Sequence, residues 1–356
     1  MTASTVRPGI TPDSRLALLM HDNLADGWGK MGTGLLRYSR ADIAAVVDRS
    51  TAGGNLKQIT GIDRDVPIVA TMREAVALGA DTLVPGVAMP NGVLPDDWWE
   101  EIKEALAAGL NLVNGLHAPL SERADLCALL QPDRFIWDVR KEPANVQNGL
   151  GRAAAVPALR VLTVGTDMAI GKMTASLELD RSARDRGLKS RFLASGQIGI
   201  CIAGDGVALD AVRVDFATGA VESMMLEHGH NHDILFLEGQ GSMLHPASTA
   251  WMALIRGGCP THMILVHKAG QAAIARAPQV KIPPLKEVVA LYEAVASAGG
   301  AMPPSRVAGV ALNCHGLTDE EARRAVEETE NECGLPTQDV VRFGAQKLLD
   351  AILEVN

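Results

Sequence analysis

The chain has 356 residues, 47% of them apolar and 21% charged, with 35 glycines, 3% aromatics and a formal net charge of −9. This is the length of two domains and the composition of a globular α/β protein rather than a disordered or fibrous one. The acidic balance leaves no basic stripe to replace phosphate counterions, which argues against broad nucleic-acid binding, and no run approaches the ~18 apolar residues of a membrane helix.

Residues 1–15 are polar and lack the charged start and apolar run of a secretory signal. The five cysteines, Cys127, Cys201, Cys259, Cys314 and Cys333, are scattered without a close pair. Reduced thiols, a cytoplasmic location and no membrane partner are expected. Two short apolar runs, 16–20 and 43–47, predict strands, and the second ends at Asp48. An acidic residue there suits a ribose hydroxyl, but the glycine turn at 27–34 does not fit Gly-x-Gly-x-x-Gly. Strands follow at 68–70, 82–84, 111–113 and 135–137, with helices at 72–78 and 98–108 between them. The polar stretch 143–151 is the expected linker, which divides the chain into domains 1–145 and 146–356.

The alternation then restarts. Strands are expected at 159–164, 191–193, 234–237, 263–266 and 307–312, helices at 172–184 and 345–353. The fold class read from this rhythm is α/β, with a parallel sheet in each half and the ligand edge at the strand C-termini.

The strongest chemical signal is Gly165-Thr166-Asp167-Met168-Ala169-Ile170-Gly171-Lys172-Met173-Thr174. A buried strand enters a glycine-bounded loop and a helix opens behind it, so main-chain N–H groups and the helix N-terminus face an anion. Lys172 adds a point charge for phosphate oxygens. Five residues separate the glycines where the common P-loop has four, and Met173 stands between Lys172 and Thr174. The longer loop resembles the dethiobiotin-synthetase branch of P-loop proteins.

Other residues converge on the same edge. Glu238 ends the 234–237 strand ahead of Gly239-Gln240-Gly241-Ser242, where it suits a base, a metal ligand or a partner for lysine. Gly196-Gln197 follows the 191–193 strand, and His267 with Lys268 closes the 263–266 strand. His228, His230 and His232 alternate just ahead of 234–237, but no carboxylate or cysteine completes a ligand set, and a polar loop is the expected reading. No resident metal is expected.

On these motifs the chain resembles a family with a Rossmann-like N-terminal domain and a P-loop C-terminal domain, the DgcN-type D-glutamate N-acetyltransferases. The resemblance runs from about Lys30 to Leu353. It rests on Lys30 with Gly34 to Tyr38, Gly115-Leu116-His117, Asp138-Val139-Arg140, the Gly165 to Thr174 loop, Gly196-Gln197, Asp215-Phe216 with Gly219-Ala220, Glu238 to Ser242 with His245-Pro246, Pro283-Pro284-Leu285 and Ala311-Leu312-Asn313. The sequence departs from the family pattern at Ile198, where threonine is usual, and at Met168, where cysteine is common. The stretches 67–75 and 86–90 are also similar to the CoA-binding domain of succinyl-CoA ligases.

The resemblance implies acetyl transfer from acetyl-CoA to the amino group of D-glutamate or a similar D-amino acid, by a homo-oligomer acting on small molecules. Under it, Gly165, Thr166, Ala169, Gly171, Lys172, Met173, Thr174 and Gln197 are the expected cofactor contacts. Glu238 and His267, with Asp167 behind them, are the candidate bases, and Lys30, Arg37 and Arg140 the partners of the acceptor's carboxylates. The loop by itself also suits an ATP- or GTP-dependent ligase or kinase, in which Thr174, Asp167 and Glu238 organise Mg2+ around the nucleotide. A non-catalytic nucleotide or CoA sensor is the remaining alternative.

Overall fold

The computed structural model of the chain describes residues 8–25, 28–87 and 94–354. Gly27 of the glycine turn and 88–90 of the CoA-ligase-like stretch lie outside the described residues. The chain forms two compact units, Met1–Lys141 with Gln197–Ala208, and Glu142–Gly196 with Leu209–Asn356. Among the described residues no helix is long and apolar enough to cross a membrane.

The first unit alternates strands and helices: β1 (Arg15–Leu19), α1 (Lys30–Tyr38), β2 (Asp42–Val47), α2 (Leu56–Thr60), β3 (Ile68–Val69), α3 (Met72–Ala77), β4 (Thr82–Pro85), α4 (Asp96–Ala107), β5 (Asn111–Asn114), α5 (Ala124–Cys127) and β6 (Ile136–Asp138). All strand pairs are parallel, in the order β3-β2-β1-β4-β5-β6. This is the doubly wound order whose direction reverses between β1 and β4. The central strands read as unbroken apolar runs because both of their faces are covered, and Leu19, Val47, Leu83 and Leu112 form one core with Trp98, Ile102 and Leu106 of α4. That helix buries residues at helical spacing. α3 starts on a capping box between Thr71 and Glu74.

The glycine-rich stretch opens α1 instead of forming a phosphate turn, and Gly32 N–H donates to the carbonyl of Gly86 at 2.7 Å. Asp48 spends its carboxylate inside the protein. It accepts from Asp22 N–H at 2.7 Å, the Ser50 hydroxyl at 2.9 Å and the Thr51 hydroxyl at 2.5 Å. The acidic residue that suited a ribose is thus the organiser of the β2 turn.

The second unit contains β7 (Leu159–Gly165), α6 (Lys172–Asp185), β8 (Ser190–Leu193), α8 (Val214–His228), β9 (Ile234–Leu237), α9 (Ala250–Gly258), β10 (His262–Lys268), the hairpin β11 (Ala273–Ile274) and β12 (Ala277–Lys281), α10 (Leu285–Ser297), β13 (Arg306–Asn313), α11 (Asp319–Cys333), β14 (Thr337–Gln338) and α12 (Gln346–Leu353). α7 (Gln197–Ala203) lies between β8 and α8 in sequence and groups with the first unit, where it packs against α1. The main sheet runs β14-β13-β10-β7-β9-β8 with every pair parallel. Its core joins Val161, Phe236 and Ile264 of the central strands to Leu179 of α6 and Leu348, Leu349 and Ile352 of α12. With β7 central and every strand aligned, the loops after β7, β9 and β10 emerge at one edge.

Candidate active site

The loop after β7 is shaped by its last residues. Ala169 adopts φ +55° and Gly171 φ +111°, and Gly171 caps α6 without help from any side chain. A φ of that size is open to glycine and strained for other residues, so the second glycine is a geometric requirement. The N–H groups of the first turn of α6 have no partner inside the helix. Asn313, at the end of β13, donates from its amide to the carbonyl of Ile170 at 2.9 Å and fixes the far side of the loop.

Lys172 turns back beneath this loop. Its side chain is only 6% exposed, and Nζ donates to the main-chain carbonyl of Asp167 at 2.7 Å. Burial lowers its pKa to about 8, against the opposing pull of Asp167 and Glu238. Glu238, immediately beyond β9, is 4% exposed. Its Oε2 accepts the N–H groups of Ser195 at 2.9 Å and Gly196 at 3.1 Å, and the Ser195 hydroxyl donates to its main-chain carbonyl at 2.8 Å. Burial raises the Glu238 carboxyl to about 7, while those two amides and Lys172 pull it down. One oxygen of Glu238, Oε2, is thereby locked by two main-chain donors.

The next residue has no room for a side chain. A Cβ on Gly239 would lie 1.8 Å from the carbonyl oxygen of Thr163. Gly239 N–H donates to Thr163 Oγ1 at 2.9 Å, and that hydroxyl also lies 2.9 Å from Ser176 Oγ on α6. The β7, β9 and α6 ends are therefore stitched together directly under Lys172. Tyr292 of α10, fully buried, donates to the carbonyl of Gly165 at 2.8 Å and accepts Met243 N–H at 3.1 Å. Its hydroxyl holds the end of β7 from the opposite face.

The other expected bases, Asp167 and His267, also make hydrogen bonds within the second unit. Asp167 accepts Met168 N–H on Oδ1 at 2.6 Å, and on Oδ2 it accepts the Gln271 amide at 2.6 Å and Ala275 N–H at 2.8 Å. Asp167 thereby ties the loop to the segment that carries the β11–β12 hairpin. His267 Nδ1 lies 2.9 Å from the Thr166 hydroxyl, and burial pushes its pKa down, opposed by Glu332. Met173 and Thr174 lie in the first turn of α6, both half-buried.

Gln197 begins α7 in the first unit and so is not grouped with the loop. In that unit Lys30 and Arg37 are exposed on α1. Met31, beside Lys30, packs on Gly115, whose carbonyl accepts Arg140 Nε–H at 2.9 Å. Arg140 is thereby aligned at the end of β5. Burial and Arg140 together lower the pKa of His117. The histidines ahead of β9 stand at the edge of the second sheet opposite Lys172. His232 Nδ1 donates to the carbonyl of His228 at 2.8 Å, and the two rings meet edge to face at 5.9 Å. Among the described residues no group of three or more His, Cys, Asp or Glu is arranged to hold a metal ion.

Residues 147–349 match the P-loop domain of the DUF1611 family, and 49–142 match that family's Rossmann-like N-terminal domain, both described as domains of unknown function. The chain belongs to the DUF1611 family. Two relatives carry the name D-glutamate N-acetyltransferase. That of Tritonibacter scottomollicae is 38% identical over 287 residues, covering 80% of this chain and 85% of its own, and that of a Pseudoalteromonas species is 33% identical over 279 residues, covering 78% and 82%. The crystal structure of a DUF1611 protein from Anabaena variabilis is 56% identical and superposes with a TM-score of 0.93, over 96% of this chain and 100% of that one.

Proposed function

We propose that this DUF1611 protein moves an acetyl group from acetyl-CoA to the amino group of D-glutamate or a closely similar D-amino acid, the activity named for its relatives. The observation that supports this best is that Lys172 and Glu238 are both buried at the C-terminal edge of the second sheet and feel each other's charge, with the ammonium lowered to about 8 and the carboxyl raised to about 7. Aminolysis of a thioester needs a charge for the developing oxyanion and an acceptor for the amine proton. Lys172 supplies the first and Glu238 Oε1 the second. The amine nitrogen bonds to the carbonyl carbon, the C–S bond breaks, and the amine's proton passes through Glu238 to the departing thiolate, which leaves as the thiol.

The pantetheine arm separates a CoA thioester from its phosphates, so a buried lysine that feels the charge of the base serves the acyl end. The main chain of Gly165, Thr166, Ala169, Gly171, Met173 and Thr174 then holds an anionic group of the bound substrates. His267 is read as a positioning residue through Thr166, and Asp167 as one through the hairpin. Within the first unit, Lys30, Arg37 and Arg140 are the proposed anion contacts, and Gln197 a proposed donor contact. The reading takes the enzyme as a cytoplasmic homo-oligomer.

Following thiol release from acetyl-CoA by the purified protein tests this. Release that requires D-glutamate, and is weak with L-glutamate, is the expected result; no release with any amino acid contradicts it. The P-loop favours a second reading, nucleotide-dependent phosphoryl transfer or ligation. Calorimetry separates the two, since that reading requires ATP or GTP with Mg2+ to bind where acetyl-CoA does not.

A further inference from the structure

A small, partly open space lies beside Lys172 at the end of β7, with room for about one group of water or methyl size. Leu162 and Val164 of β7, Leu254 and Trp251 of α9, and Tyr292 form its walls, and the backbone of Gly239 to Gly241 closes the side toward β9. Apart from Lys172 these side chains present mostly carbon, and a dry, carbon-walled space takes an apolar group in preference to water. The walls are also fixed. Leu254 and Tyr292 are fully buried, the Tyr292 hydroxyl is held by Gly165 and Met243, and Trp251 Nε1–H donates to the carbonyl of Ser248 at 3.0 Å.

We propose that this cavity seats the methyl of the transferred acetyl group and so limits the donor to a two-carbon acyl chain. The proposal rests on the acetyl-transfer reading given above and adds to it where the acyl chain lies and what sets its length. With the methyl there, the thioester carbonyl lies at the mouth of the cavity, next to the Lys172 ammonium. A third carbon has to displace Tyr292 or Leu254, and close-packed interiors resist this. One methylene too many in such a pocket changes kcat/KM by about 10- to 200-fold.

The test compares kcat/KM for acetyl-, propionyl- and butyryl-CoA at saturating D-glutamate, in the native protein and in Leu254→Val and Trp251→Phe, each checked for an unchanged melting transition. The native protein is expected to prefer acetyl over propionyl at least about tenfold. Leu254→Val removes one methylene from the wall and is expected to raise the propionyl-to-acetyl ratio about tenfold; Trp251→Phe, one turn earlier on the same helix, opens the lining at a second point and moves the ratio in the same direction should the first variant fold poorly. Equal use of propionyl-CoA by the native protein, or a ratio unmoved in the folded variants, removes the cavity assignment and leaves acetyl transfer standing. Absence of transfer from all three donors overturns the acetyltransferase reading and the cavity assignment with it.

Discussion

The Lys172 ammonium lies 2.7 Å from the carbonyl oxygen of Asp167, so the lysine that opens α6 is folded back onto the loop that precedes it. A buried lysine with one carbonyl partner retains donor capacity, and a substrate oxygen that enters the cavity beside it finds a cation already in position. Lys172→Ala should lower kcat about 10²- to 10³-fold, the usual effect of removing one preorganised oxyanion donor. It should also raise the KM for acetyl-CoA severalfold. Steady-state kinetics with both substrates varied checks this, and an unchanged KM with full kcat removes Lys172 from the chemistry.

The two perturbed groups fix a pH dependence. The Glu238 carboxyl is raised to about 7 and accepts a proton only when ionised, so the rate climbs as pH rises through 7. Lys172 is lowered to about 8 and stabilises an oxyanion only when protonated, so the rate declines as pH rises through 8. The expected profile of kcat/KM is a narrow bell centred between 7 and 8, read from initial rates between pH 5.5 and 10.

Asp167 is expected to act on stability and loop order, not on proton transfer. Removing its carboxylate leaves Ala275 N–H without its acceptor and the Gln271 amide with only the carbonyl of Ala273, a loss of about 0.5–1.5 kcal/mol for a partly exposed hydrogen bond. Asp167→Ala should lower the melting temperature accordingly while the acid limb of the pH profile keeps its position. Disappearance of that limb in the variant makes Asp167 the base.

Tyr292→Phe removes the hydroxyl that bridges Gly165 and Met243 and leaves the ring in place. A stability loss of about 1–2 kcal/mol is expected from the two lost bonds. Thermal denaturation of the two proteins at one pH measures it.

The parallel-sheet architecture and the loop were legible because they are local signals. The apolar run of β7, two glycines at a turn and the helix behind Lys172 lie within one stretch of chain, and Glu238 announced itself as an acid ending an apolar strand. What was not legible depends on distant partners. Tyr292 meets Gly165 across 127 residues, and nothing in α10 marks that tyrosine apart from a core residue. Trp251 reads as part of an ordinary amphipathic helix until its neighbours at the end of β7 are known. The contacts of Asp167 were not legible because its donors, Gln271 and Ala275, come from the short stretch around β11, too brief to signal itself. The opening of α1 read as a glycine turn because its helical residues begin among four glycines, whose low helix propensity was outweighed by packing.

Replacing the Glu238 side chain by its neutral isostere tests the central claim most directly. Glu238→Gln keeps an oxygen for Ser195 and Gly196 and cannot take the amine proton. With acetyl-CoA and D-glutamate at pH 7.5, kcat/KM should fall about 10²- to 10⁴-fold while the melting transition stays cooperative. A folded variant that retains native kcat/KM contradicts the assignment of Glu238 and Lys172 as the reacting pair.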